Sequence, residues 1–116
     1  PRRVGGWRSR RVTNRVELTG RLVEKTELRH SPAGVPIARA LMAHESAQTE
    51  AGVERRVRFL VGLRAAGSPL AETLDGIAVG DSIAVDGVLL RSRQRGPDTD
   101  PIIISVSHVE RLAENA

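Results

Sequence analysis

The residues in this sequence whose types and spacing could do chemistry are arginines. Arg91, Arg93 and Arg95 alternate in the run Arg91-Ser-Arg-Gln-Arg95, and alternate side chains of an extended chain share one side. Arg56 and Arg58 repeat that spacing upstream. A guanidinium is always charged, and its planar fork of N–H donors matches a pair of phosphate oxygens. Such rows hold a polyanion rather than transform it, although arginines on a solvated strand face need no ligand at all. Catalysis has little to work with. His30, His44 and His108 fall on separate segments, without the spacing of a metal site or of a partnered nucleophile. Glycine-rich phosphate loops are missing. The chain reads as a non-enzyme with no cofactor and no metal.

Composition narrows the class. The 116 residues, 40% of them hydrophobic, suit one core rather than two. The formal charge is +4, but Arg2, Arg3, Arg8, Arg10 and Arg11 crowd the start without an acid, and the remainder carries about −1. A basic pI is therefore weak testimony for a nucleic-acid partner. With no cysteine there is neither a disulfide frame nor a thiolate metal site. No apolar stretch is long enough to span a bilayer, and the basic start lacks the hydrophobic segment of a secretion signal, so a soluble cytoplasmic protein with no membrane contact is expected. Aromatics are reduced to Trp7 and Phe59, which leaves Val, Leu, Ile and Ala to build the core and puts base stacking at a disadvantage.

The elements that must carry the arginines read as short strands. Residues 1–12 have no periodicity and are expected to be a disordered basic tail, followed by a domain over residues 13–112 and a C-terminal end over residues 113–116. Residues 14–24 alternate, with Val16, Leu18, Gly20 and Leu22 on one side; Gly20 predicts a bend or bulge. After the turn cluster Ser31-Pro-Ala-Gly-Val-Pro36, residues 37–45 predict a second strand, with helix as the alternative. Residues 46–52 read as a flexible connection. Residues 54–63 alternate again, with Val57, Phe59, Val61 and Leu63 facing inward and Arg56 and Arg58 outward.

A short helix or loop is expected over residues 69–77, with Ser68 able to cap its start. The β-branched runs 82–90 and 102–109 then form a hairpin that reverses around Gly96-Pro97, and Val109 breaks the alternation so that a bulge is expected near Ser107 and His108. Five antiparallel strands with an irregular segment between the third and fourth predict an all-β OB-fold, a Greek-key barrel whose faces and loops bind oligonucleotides. A five-stranded SH3-like barrel is the competing architecture.

Several strings resemble one family. They are Thr13-Asn-Arg-Val-Glu-Leu-Thr-Gly20, Leu28-Arg-His-Ser-Pro-Ala-Gly-Val-Pro36, His44-Glu-Ser-Ala-Gln-Thr-Glu-Ala-Gly52, Val79-Gly-Asp-Ser-Ile-Ala-Val-Asp-Gly87 and Val109-Glu-Arg-Leu112. Together they resemble the primosomal replication protein N (PriB) family of bacterial replication restart, across the whole expected domain. The resemblance implies a homodimeric OB-fold protein that binds single-stranded DNA and works with the restart helicase and other primosome proteins. It adds Arg29 and Arg55 to a candidate interface that also holds Arg56, Arg58, Arg91, Arg93 and Arg95.

There are departures from the family pattern. Arg58 stands where relatives can present a stacking tryptophan, Val53 replaces a nearby aromatic, and Glu45 sits where a relative may carry a base. Asp98 and Asp100 add acid beyond the arginine row. The expectation is a grip on phosphates more than on bases. An RNA-binding OB module and an OB module that binds protein, with DNA incidental, remain as alternatives.

Overall fold

The structure is a computed structural model and describes residues 12–92 and 102–113. Its elements in chain order are β1 (Val16–Lys25), β2 (Arg29–His30), β3 (Pro36–Glu50), β4 (Val53–Ala66), α1 (Leu70–Asp75), β5 (Ser82–Arg91) and β6 (Ile102–Arg111). Strand β1 pairs antiparallel with β5 from Val16↔Gly87 to Arg21↔Ser82, then with β3 from Arg21↔Ala43 to Lys25↔Ala40. The changeover falls at Gly20, where a Cβ would collide with the Ala43 carbonyl oxygen and lie 2.8 Å from Met42 Cγ. Only glycine lets the strands approach so closely. A register shift between Leu22 and Glu24 completes the bend.

Strand β3 pairs with β4, β4 runs parallel to β6 over Gly62–Arg64, and β6 returns antiparallel to β5. The circuit β1-β3-β4-β6-β5-β1 closes a five-stranded barrel, the expected OB-fold. Strand β2 was not anticipated. It is a two-residue addition paired with Ile37 and Pro36 across the Ser31–Pro36 turn.

The core follows the alternation. Leu22, Met42, Leu63, Leu74, Ile83 and Ile104 are fully buried, and among the described residues no polar or charged residue is. Each such side chain contributes about 1.5–3 kcal/mol by leaving water. Ala38, Ala40 and Met42 all face inward, which resolves β3 as a strand. The bulge expected near Ser107 is present: Asp86 pairs with His108 and Gly87 with Val106, so Ser107 is the extra residue and Val109 returns to the core. Helix α1 packs Ala71 and Leu74 inward, and Lys25 Nζ donates to the carbonyls of Asp75 (2.6 Å) and Ile77 (2.8 Å) just past its end.

Three expectations are corrected. Ser68 does not cap the backbone of α1; its hydroxyl donates to the Glu72 carboxylate at 2.7 Å instead. Phe59 has the inward parity but is 43% exposed, because this part of β4 projects beyond the barrel. Residues 46–52 are not a flexible connection. The β3–β4 ladder continues to Glu50↔Val53 and reverses in a two-residue turn, with Ala51 at φ 52° and Gly52 at φ 79°. Two positive φ values suit the type I′ geometry that follows the twist of a hairpin.

The polar residues of the projecting arm hid the strand, since nothing there is buried deeply enough to impose an apolar alternation. Alanine tolerates the left-handed conformation at a cost of about 1 kcal/mol, which glycine avoids. Ala51→Gly is expected to leave the fold intact and to raise the free energy of unfolding by up to that amount, as measured by urea denaturation.

Candidate nucleic-acid interface

Register sorts the arginines by face. In the β3–β4 ladder the outward pairs are Arg39↔Arg64, Leu41↔Gly62, Ala43↔Leu60, Glu45↔Arg58 and Ala47↔Arg56, because Ala38, Ala40, Met42, Val61, Leu63 and Ala65 take the inside. Arg56 and Arg58 therefore share a face, as expected. Both reach one carboxylate: Glu45 Oε2 lies 3.2 Å from Arg58 Nε and 3.6 Å from an Arg56 guanidinium nitrogen. Arg55 takes the opposite parity and pairs with Glu50 at 3.2 Å. All these groups are exposed, and pairs of this kind contribute about 0.2–1 kcal/mol each.

The other candidates are distributed around this arm. Arg29 is exposed on β2 and lines a groove of about 420 Å³ with Thr26, Glu27, His30, Ile37 and Arg39. Arg91 is exposed on the last rung of β5, opposite Ile102. Arg93 and Arg95, with the rest of the arginine loop and its expected turn at Gly96-Pro97, lie outside the described residues, as do residues 1–11. The structure thus brings Arg56 and Arg58 together, turns Arg55 to the other side of the same arm, and sets Arg29 and Arg91 on separate connections.

Sequence reasoning passed over three residues. His44 was treated as an ordinary histidine, yet it bridges the fork that opens where β3 leaves β1. Its Nδ1 donates to the Thr19 carbonyl at 2.7 Å, its Nε2 is 2.9 Å from Ser46 Oγ, and its ring lies 5.0 Å from that of Phe59. The fork forms a groove of about 780 Å³ that reaches Arg21, Glu45, Arg58 and Leu60. Arg39 and Arg64 were also unselected, since neither belongs to an arginine cluster and only the ladder brings them face to face. The signal available was their parity: each alternates with buried neighbours, so each had to point out. Among the described residues no group of His, Asp or Glu could hold a metal ion.

The guanidiniums on the outer side of β3 and β4 lie on the barrel face that OB-folds in general present to oligonucleotides. Residues 14–100 match the profile of a family described as another single-strand binding protein family. Fold and match together define the class as OB-fold, single-strand-binding type. More particularly, the chain belongs to the family of the replication restart protein PriB. It is similar to that protein of Bordetella pertussis, with 34% identity over 100 residues, covering 86% of this chain and 90% of the relative. The PriB of Actinobacillus succinogenes is 29% identical over 102 residues, covering 88% and 94%.

Among solved structures, PriB from Ralstonia solanacearum aligns with a TM-score of 0.75 and 32% identity, over 87% of this chain and all of that one. The single-stranded DNA binding protein of Thermus aquaticus aligns at 0.69 and 25% identity, over 87% of this chain and 50% of that one.

One carboxyl of α1 has a shifted titration. The Glu72 carboxyl is held below the usual glutamate range, first by the Ser68 hydroxyl that donates to it, then by a backbone hydrogen bond, with a smaller pull from His30. A depressed carboxyl adds stability above its unfolded-state pKa and loses it as pH falls through the folded value. Ser68→Ala removes the largest cause. An NMR titration is expected to show the Glu72 midpoint move upward towards an ordinary glutamate, and the share of acid-side stability loss that this carboxyl carries to shrink, because the window between its folded and unfolded pKa narrows.

Proposed function

We propose that this protein binds single-stranded DNA as an accessory protein of the replication restart primosome and assists helicase loading at stalled forks. The observation that carries the reading is the outward guanidinium row of β3–β4, on an OB barrel in a chain of the PriB family. The surfaces that OB-folds use are strands two and three with the loops joining strands one to two and four to five. Here those are β3 and β4, the connection bearing Arg29, and the β5–β6 connection that begins at Arg91. With arginine at position 58, the grip is mainly on phosphates, so it is expected to weaken steeply with salt. A phosphate grip does not read the 2′-hydroxyl by itself. The preference for DNA over RNA rests on the names of the relatives.

Glu45 is an internal competitor in this scheme, because phosphate must displace it from Arg56 and Arg58. Titrating a labelled oligothymidylate, with matched RNA as competitor, tests the function directly. In the same assay Glu45→Gln is expected to bind several-fold tighter and to steepen the plot of log affinity against log salt by up to about 1.4, the value for two phosphates on a single strand. An unchanged plot would reduce the arm to a solvated face.

We also propose a homodimer. Over Val16–Gly20 strand β1 has β5 on one side and, among the described residues, no strand on the other; His44 satisfies only the Thr19 carbonyl there. An open edge is a pairing surface. Light scattering at micromolar concentration is expected to return the mass of two chains rather than 12.5 kDa; a monomer mass would remove the claim.

A further inference from the structure

Arg39 and Arg64 stand directly opposite each other on the outer wall of the barrel, half-buried, and neither has an ion pair among the described residues. Like charges across a rung destabilise a sheet, and partial burial sharpens the cost by limiting how far water screens them. Among the described residues Arg21, Arg29 and Arg91 also form no ion pair, but they are exposed and none faces another arginine across a rung. Arg15, Arg55, Arg56, Arg58 and Arg111 each reach a carboxylate. The Glu27 side of the neighbouring groove offers an acid, but it forms no ion pair with Arg39 or with Arg29. Two cations held together without a counter-charge are arranged for an anion that arrives from outside.

We propose that Arg39 and Arg64 form a phosphate-holding rung that carries the backbone of a bound single strand of DNA along the barrel wall. Arg29 leads into the rung, through the groove it shares with Arg39. About 20 Å of extended β3 separates Arg39 from Glu45, and so from the pair formed by Arg56 and Arg58. Between the two basic rungs lie Leu41↔Gly62 and Ala43↔Leu60, an uncharged step against which sugars and base edges can rest. The strand is thereby fixed at both ends of the β3–β4 face, with its path parallel to the strands. The proposal rests on the single-strand reading above and assigns to it two contacts outside the hairpin arm.

The test compares oligothymidylate binding across a salt series for the parent, Arg39→Gln, Arg64→Gln, their double variant, and Arg56→Gln with Arg58→Gln as a reference pair. Each single change at the rung is expected to flatten the log–log salt plot by about 0.7 and the double change by about 1.4. The same variants, free of DNA, are expected to melt at or above the parent temperature because a repulsion has been removed. Loss of salt slope with unimpaired melting separates a ligand contact from a structural role, and the singles keep the test intact if the double variant folds poorly. If the rung variants matched the parent in slope and affinity while the reference pair lost binding, the single-strand reading would stand and this proposal would fall. A parent that bound no oligothymidylate would overturn both.

Discussion

Where each charge sits in this protein depends on the register of the β3–β4 ladder. From Ile37↔Ala66 to Glu50↔Val53 the two strands stay in step without a bulge, and the turn at Ala51 and Gly52 sets that step. A slip of one residue would turn one strand over against the other, sending Arg39 of β3 or Arg64 of β4 into the barrel and Met42 or Leu63 out. Burying unpaired guanidiniums costs far more than any surface ion pair returns, so the apolar side chains hold the register and the arginines inherit it. The binding face is in this sense a by-product of the core.

The two ends of that face are electrostatically different. On the arm the cations are already satisfied by Glu45, and a ligand exchanges one partner for another. On the barrel wall the cations have nothing to exchange. The far side of His44 continues the contrast, since a groove there is lined by Glu17, Asp86 and Glu110. A polyanion that approaches the molecule meets one face that attracts it and another that repels it, which orients the encounter before any contact forms.

Most of the barrel was legible in the sequence because its strands are amphipathic. Val16, Leu18 and Leu22 mark β1, Ile104 and Val106 mark β6, and the broken phase at Val109 located the bulge at Ser107. What escaped was the part of the structure that buries nothing. Residues 46–50 carry Ser, Ala, Gln, Thr and Glu with no apolar period, so they read as a flexible connection and the ladder was cut short. A connection of unstated path leaves every cross-strand partner unassigned. It concealed the pairing of Arg39 with Arg64 while leaving Arg56 and Arg58 visible, since these two neighbour each other along one strand and need no register to be grouped. Val53 and Arg58 both fall on the exposed arm, where substitution disturbs no core contact.

The parallel contact between β4 and β6 bears on how the chain is made. Barrel closure joins Gly62–Arg64 to Ile103–Ser105, and the intervening chain includes α1 and all of β5. The β3–β4 hairpin can form from local sequence on the microsecond scale, whereas closure must wait for the last strand. During synthesis the local contacts of the arm are therefore available while the barrel behind them can be no more than an open sheet. Until β6 leaves the ribosome, Val61, Leu63 and Ala65 have one side uncovered and the edge of β4 is free, which makes this interval the one most exposed to mispairing between nascent chains.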